Sequence, residues 1–131
     1  MARQTEKVQT FANPGGFVEQ HYVGVQTPDD VISGIKELVK RAQQLKAKKQ
    51  LVLILVDVTE VPKIDISGKM VKARSFAVEA MTSAKYDRIA VYGNVAVQIM
   101  VNTLALIAGK RQKVRVFTDR TEALKWLKRE E

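Results

Sequence analysis

The pattern of apolar and polar positions divides the chain into alternating strands and helices. Residues 8–12 and 17–25 are rich in β-branched and aromatic side chains, and the sequence NPGG separates them, which predicts a hairpin. A helix is predicted after Thr27, because threonine is a capping residue and Pro28 occupies the first helical position. Its apolar face is formed by residues at three-and-four spacing, namely Val31, Ile35, Leu38, Val39, Ala42 and Leu45.

The middle of the chain predicts a buried sheet. Residues 51–58, LVLILVDV, form an unbroken apolar run, which is typical of a central strand covered on both faces. The further predicted elements are a helix over 66–83, a strand over 87–94, a helix over 95–108 that ends at Gly109, a strand over 113–117, and a last helix capped by Thr118 or Asp119. The order β-β-α-β-α-β-α-β-α predicts an α/β fold: about five strands in a mixed, mainly parallel sheet, packed with four helices.

Length and composition narrow the classes of protein. A chain of 131 residues fits one domain, so we predict a single domain over residues 1–131. No apolar stretch approaches the roughly 20 residues that span a bilayer, and the first 16 residues lack the apolar run of a secretory signal. The chain contains no cysteine, which excludes disulfides and thiol chemistry and is in keeping with a cytoplasmic protein.

Charge and candidate chemistry do not indicate an enzyme. The net charge of +8 favours anionic partners of any kind, but the aromatic residues do not alternate with basic ones, so no specific nucleic-acid site is predicted. His21 is the only histidine, which gives no metal cluster and no recognisable Ser-His-Asp pattern. A Gly-rich phosphate loop is also absent. We therefore predict no catalytic residues, no metal and no cofactor.

Polar residues gather where strands give way to helices. In a parallel sheet these junctions meet at one edge, where ligand and modification sites tend to lie. The residues predicted at this edge are Asp57, Asp65, Ser67, Asn94, Thr118 and Asp119. Each of these residues is also of a type that is common at helix caps and turns. A purely structural role is therefore an alternative to a ligand or modification site.

The segments LVLILVDVTEVPKIDISGKM and VRVFTDRTEALKWL, together with the element order, resemble the SpoIIAA-like group of the STAS superfamily, the anti-sigma factor antagonist fold. The resemblance covers nearly the whole chain. In those antagonists an aspartate, two hydroxyl residues and a glycine precede a helix, and the serine before the glycine is phosphorylated. The matching positions are Asp65, Ile66, Ser67 and Gly68. Ile66 replaces the first hydroxyl residue, and Lys69 stands where an apolar residue usually follows.

The resemblance implies a regulatory module that binds a protein partner, such as a kinase-type or other regulatory protein, with Ser67 as the candidate phosphoacceptor. At a helix start, a phosphate on Ser67 would meet free backbone amides, and nearby lysines would offset its charge. The predicted docking edge consists of Asp57, Asp65, Gly68, Lys69, Lys72 and Asn94. The alternative interpretation is that Ser67 only helps to begin the helix.

The helix predicted over 95–108 has only a narrow polar stripe, so something must bury it. One hypothesis is a helix wedged between the sheet and its neighbours, and another is a homodimer face. A third is an apolar pocket for a small lipid-like ligand, in keeping with the likeness of the SpoIIAA-like branch to the lipid-binding CRAL-TRIO fold. The residues proposed for the dimer face or the pocket are Met70, Phe76, Ile99, Met100, Thr103 and Leu106. A non-enzymatic partner-docking module is our leading interpretation, and a carrier or sensor of an apolar ligand is the alternative.

Overall fold

The computed structural model describes residues 7–62 and 70–129. They contain a five-stranded sheet of order β1-β2-β3-β4-β5. The strands are β1 (Val8–Asn13), β2 (Phe17–Val23), β3 (Leu53–Glu60), β4 (Arg88–Gly93) and β5 (Val114–Phe117). The helices are α1 (Pro28–Ala47), α2 (Val71–Ser83), α3 (Val95–Ala108) and α4 (Arg120–Leu127). Only the β1–β2 pair is antiparallel among these strands, so the predicted mixed, mainly parallel sheet and the predicted order are confirmed.

The connections place three helices on one face of the sheet and one helix on the other. Strands β2 to β5 follow one another in space as they do in sequence, so their right-handed crossovers put α1, α2 and α3 on the same face. Helix α4 follows the last strand and packs on the opposite face, mainly against β3 and β4. Side chains of β3 alternate between the two faces, with Val56 and Val58 towards α1–α3 and Leu55 towards α4.

Two apolar clusters therefore form the core. The larger cluster lies between the sheet and α1–α3, and the smaller one is built around Leu55, Ala90, Trp126 and Leu127 beneath α4. Val52, Leu55 and Ala90 are fully buried, which confirms β3 as a central strand covered on both faces. The strand itself begins at Leu53, two residues later than predicted, and continues to Glu60.

The helix ends follow the capping residues in the sequence. Thr27 caps α1 through a reciprocal pair of bonds with Asp30, and Pro28 occupies the first position, as predicted. Asp119, rather than Thr118, caps α4 by accepting a hydrogen bond from the Glu122 N–H. The part of the second helix predicted over residues 66–69 lies outside the described residues.

Helix α3 differs from the hypothesis of a helix wedged on all sides. It begins after Asn94 and ends at Gly109, as predicted, but only Val97, Leu104 and Ala105 are buried. Its outer side carries exposed apolar residues: Val95, Ile99, Leu106 and Ile107, each between 59% and 65% exposed. Helix α3 packs on β4, β5 and α2, so the arrangement between the sheet and a neighbouring helix holds for its inner side alone, and the exposed apolar residues of its outer side are not covered by any described element.

Candidate functional site

The predicted edge at the carboxyl ends of the strands is built mainly from turn and cap interactions. The Asp57 carboxylate accepts hydrogen bonds from the Thr59 N–H at 2.8 Å and the Thr59 hydroxyl at 2.6 Å. Asn94 caps α3 by accepting from the Ala96 N–H, while its amide nitrogen donates to the Val61 carbonyl at 2.7 Å. The ends of β3 and β4 are thus tied together at this edge.

The predicted docking edge is only partly described. Asp65, Ser67, Gly68 and Lys69 lie outside the described residues, which resume at Met70. Lys72 is exposed near the start of α2. Asp57 and Asn94 lie on different sides of the sheet, because Asp57 faces α4 whereas Asn94 begins α3. Both residues nevertheless lie at the carboxyl edge of the adjacent strands β3 and β4.

A ring of polar side chains lies on the α4 face and was not predicted from the sequence. His21, Asp57 and Tyr92 are direct neighbours in the strand register. The Tyr92 hydroxyl donates to the Asp57 carboxylate at 3.0 Å, and His21 Nδ1 lies 3.5 Å from the same carboxylate. His21 Nε2 lies 2.6 Å from Glu19 Oε2. Arg120 closes the ring by donating to both Glu19 oxygens, at 2.7 and 3.1 Å, and to the Tyr92 hydroxyl at 3.2 Å.

The ring holds a buried carboxylate in its charged form. The Glu19 side chain is only 4% exposed, and hydrogen bonding from Arg120 is the main reason that its pKa falls to about 2, against the opposing effect of burial. Bonds from His21 and Asn13 lower the pKa further. The bonds to Glu19 in turn raise the pKa of the Arg120 guanidinium, and burial raises the pKa of Tyr92. Glu19 is thus a satisfied anion, poorly suited to accept a substrate proton.

This ring is a cross-link between β2, β3, β4 and α4. No serine or cysteine nucleophile belongs to it, and each polar member already bonds another member. The sequence contained one usable signal, because Glu19 and His21 are polar residues within the second predicted strand and Asp57 interrupts the apolar run of the third. Their proximity, however, depends on the strand register and on where α4 docks, and the local pattern specifies neither.

A shallow groove runs between α2 and α3, and we call it the α2–α3 groove. Its lining is mostly apolar and includes Val71, Val78, Ile99, Met100 and Ile107, together with Pro62 and Arg74. Ile99, Thr103 and Leu106 of the predicted dimer face are exposed on or beside it, whereas Met100 is half-buried and packs against the core. Pro62 directly precedes residues 63–69 in sequence and Val71 follows them by two positions, and both line the groove.

A separate cavity of about 190 Å³ lies between the sheet and helices α1, α2 and α3. Met70 and Met100, predicted for an apolar pocket, both line it. Phe76 does not line it; its ring lies beneath the Lys36 ammonium, 5.9 Å from the ring centroid. The remaining lining is apolar apart from Gln20, Tyr22, Gln26, Arg74 and Tyr86. The cavity also contacts α1, through residues such as Leu38 and Ala42, which the predicted pocket did not include.

Metal-binding groups and membrane-spanning helices are two further features that bear on the class of protein. Among residues 7–62 and 70–129, no group of three or more His, Asp or Glu side chains is arranged to hold a metal ion. None of the helices in that part of the chain is both long enough and apolar enough to cross a membrane.

A mainly parallel sheet with three helices on one face and a single terminal helix on the other defines a small α/β module of the STAS type. The chain belongs to the SpoIIAA-like family, whose profile matches residues 17–128. A search among curated proteins gave no match. Family membership suggests a regulatory or interaction module, because SpoIIAA-like domains generally bind partner proteins and are generally non-enzymatic.

Proposed function

We propose that this protein is a non-enzymatic regulatory module that docks a partner protein at the α2–α3 groove, whose lining residues Pro62 and Val71 lie on either side of Asp65, Ser67 and Gly68 in sequence. The observation that carries the proposal is the exposure of large apolar side chains along the groove: Val71 is 52% exposed, Ile99 64% and Ile107 65%. Clustered exposed apolar residues mark interaction sites, whereas single ones are ordinary. Burying them on a partner would supply the hydrophobic driving force for binding.

Charge indicates what kind of partner fits. Among the described residues, the groove lining contains one cation, Arg74, and no acidic residue, and exposed Lys72 lies close to it in sequence. The chain as a whole carries a net charge of +8. A partner helix or loop with apolar anchors and an acidic flank complements this surface, whereas two copies of this chain would bring like charges together. We therefore favour a different, acidic protein over a homodimer.

Phosphorylation of Ser67 fits this proposal as a switch. Ser67 lies in the sequence between Pro62 and Val71, which both line the groove. A phosphate adds about 1.5 to 2 negative charges at neutral pH. Because the favoured partner is acidic, that charge would repel the partner and partly neutralise the basic surface. Phosphorylation is therefore expected to release the partner.

The test is affinity capture from lysate of the source organism with four baits: wild type, Ile99→Lys, Ser67→Asp and Leu51→Lys. Leu51 is a matched control, because it is 66% exposed and precedes β3 rather than lying on the groove. We expect one acidic protein to be retained by wild type and Leu51→Lys and lost from the other two. Purified, it should bind wild type more weakly as salt rises. Identical capture by all four baits would refute the proposal.

Two measurements address the alternatives for the same surface. Light scattering at high protein concentration should give a monomer; a dimer that Ile99→Lys dissociates would assign the groove to a second copy of this chain. Mass spectrometry of protein purified from its own cells should contain a phosphopeptide that includes Ser67. Its absence under all growth conditions would remove the switch while leaving partner docking intact.

The cavity supports a second candidate function, a carrier or sensor of a small apolar ligand. A space of about 190 Å³ lined mainly by aliphatic side chains is unusual for a small domain, because protein interiors normally contain few voids larger than a water molecule. Native mass spectrometry of the protein purified from its own cells tests this function. A copurified small molecule, displaced when Ala77→Leu fills the cavity, is the expected result, and apo mass under gentle conditions would count against it.

A further inference from the structure

We infer that the sheet edge at which strands β3, β4 and β5 begin binds the phosphodiester backbone of a nucleic acid. The inference goes beyond the proposed function, because none of the cations that carry it lines the α2–α3 groove. Lysine and arginine side chains form this surface, and we call them the basic edge: Lys46, Lys48, Lys49, Lys85, Lys110, Arg111 and Lys113. All of them are exposed except Lys110, which is half-buried.

The parallel sheet brings these residues to one edge. Helices α1, α2 and α3 each precede a strand of the same direction, so all three helices end where β3, β4 and β5 begin. The three connections, residues 48–52, 84–87 and 109–113, therefore lie at the same edge. Each connection carries at least one cation, and Lys46 lies in the last turn of α1. Cations that are far apart in sequence thus share one surface.

Asp87 shows how close the three connections lie. Its carboxylate is 3.3 Å from Lys46 Nζ and accepts a hydrogen bond from the Val52 N–H at 2.8 Å. Burial raises the pKa of this carboxyl group, but the Val52 bond and the charges of Lys46 and Lys113 lower it overall. The backbone carbonyl of Lys113 also accepts a hydrogen bond from the Ile89 N–H at 2.7 Å. The connections are therefore in contact with one another and form a continuous surface.

The basic edge concentrates the positive charge of the protein. Asp87 is the one acidic residue in the three connections, and it is already paired with Lys46. Other acidic residues of the described chain gather at the opposite edge, where helices begin and β3 ends: Asp29, Asp30, Asp57, Glu60, Asp119 and Glu122. The molecule is therefore electrically polarised, and its field attracts a polyanion to the basic edge.

Interaction with helix ends does not account for these cations. A cation stabilises the helix dipole when it lies within the last turn of the helix. Lys46 has this position in α1, but the last turns of α2 and α3 contain no basic residue. Lys85 lies beyond the end of α2, and Lys113 directly precedes β5. A role at helix ends therefore leaves most of the basic edge unexplained.

The composition of the surface favours a nucleic acid over other anionic partners. Protein interfaces have an apolar centre, and peripheral membrane binding combines charge with apolar insertion. Leu51 is the one large apolar side chain that is exposed in the three connections, and the exposed Gln50 and Gln112 are polar. A phosphodiester backbone is bound mainly through cations. The basic edge thus has what a nucleic acid requires and lacks what a protein or a membrane would bury.

The expected binding mode is non-specific. Stacking of bases requires exposed aromatic side chains, and Tyr86, the one aromatic residue in the three connections, is only 5% exposed. Contacts to phosphates hold a nucleic acid without reading its sequence. Neighbouring strands lie about 4.8 Å apart, so the starts of three strands extend over about 10 Å. Duplex DNA carries one charge per about 1.7 Å of its axis, so we expect contact with about four phosphates.

Fluorescence anisotropy of two labelled probes tests the inference on the full chain. The probes are a DNA duplex of about 20 base pairs and a single-stranded RNA of similar length, both of mixed sequence. We expect dissociation constants of about 10–100 µM near physiological salt and, for the duplex, a slope of about −4 when log affinity is plotted against log salt concentration. Tighter binding of one probe would identify which nucleic acid supplies the backbone. Binding of neither probe would overturn the inference.

Two matched pairs of charge reversals locate the site. The double variant Lys48→Glu, Lys49→Glu should weaken binding about 10-fold or more and reduce the magnitude of the salt slope by about 2, because two phosphate contacts are lost. The control is Lys36→Glu, Lys40→Glu, since both residues are exposed on α1 and the net charge changes equally. It should keep the slope of the wild type. Equal effects of the two pairs would show that binding follows net charge alone and would overturn the assignment to the basic edge.

Two further probes separate a nucleic acid from other anions. Vesicles that contain about 30% phosphatidylserine represent an anionic membrane, and polyglutamate represents an acidic protein. Each should bind more weakly than the nucleic acids at the same salt concentration. Tighter binding of either probe, lost when Lys48 and Lys49 are replaced, would assign the basic edge to that class of partner and overturn the inference.

Discussion

The Arg120 guanidinium forms a two-pronged hydrogen bond with the Glu19 carboxylate across 101 residues of sequence, with N–O distances of 2.7 and 3.1 Å. The carboxylate is almost completely buried, whereas the Arg120 side chain is 40% exposed. This contact joins the second strand of the sheet to the start of α4. It identifies the α4 face as a region whose stability depends on charge as well as on apolar packing.

Removing the cation should destabilise the protein. Arg120→Met leaves the Glu19 carboxylate buried without its main partner, and we expect a loss of about 2 kcal/mol in the free energy of unfolding, moderated by the solvent that reaches the site. Lys125→Met is the control, because Lys125 lies on the same helix and its contact with Glu122 joins two exposed side chains. It should change stability by less than about 0.5 kcal/mol in urea denaturation. Similar losses in both variants would contradict the assigned role.

The same contact predicts acid sensitivity. The pKa of Glu19 is about 2 in the folded protein and 4.5 in its ordinary state, so the folded state holds the proton more weakly. The ionised Glu19 carboxylate stabilises the folded state fully above about pH 5, and this stabilisation is lost as the pH falls towards 2. Glu19→Gln should therefore be less stable than wild type at neutral pH, and the difference should shrink between about pH 5 and pH 2. Glu122→Gln, an exposed control on α4, should give no such convergence.

The cap of α3 should also be important for stability. Asn94→Ala removes the acceptor for the first N–H groups of the helix and the bond to Val61 O, so we expect a loss of about 1–2 kcal/mol. Asn102→Ala replaces an exposed asparagine on the same helix and should be nearly neutral. Thermal and urea denaturation of both variants measure the difference. An equal effect of the two substitutions would show that the cap contributes nothing specific.

Gly93 ends β4 in a conformation that requires glycine. Its φ is 125°, and a Cβ at this position would lie 2.5 Å from the backbone nitrogen of Thr59. Gly93→Ala should destabilise the protein by about 3 kcal/mol or more, because it combines backbone strain with a clash against a central strand. Gly109→Ala has positive φ but open space around it, so it should lose only about 1–2 kcal/mol. Comparable losses would refute the clash.

The sequence predicted those features that depend on local pattern. The cap residues Thr27 and Asn94, the stop at Gly109 and the apolar run of β3 all act through residues within one or two turns, so the element order follows from them. Membership of the family was predicted from similarly short segments. Features that depend on the relative positions of elements were not predicted in the same way.

Helix α3 and the polar ring illustrate this limit. An apolar helix needs a cover, but sequence cannot tell whether that cover is the same chain or something else; in the structure the sheet covers Leu104 and Ala105 while Ile99 and Leu106 face outward. His21 was assigned no acidic partner in sequence, yet strand register places Asp57 directly beside it.

The separation between Glu19 and Arg120 has a consequence for biosynthesis. The ribosome adds roughly 5–20 residues per second, so Glu19 precedes its cation by about 5–20 seconds. During that interval the emerging chain can pair its early strands, and Glu19 has its nearby partners Asn13 and His21 but not the cation. The Glu19–Arg120 contact can therefore close only after translation has produced the start of α4. Its closure accompanies the packing of α4 on the second face of the sheet.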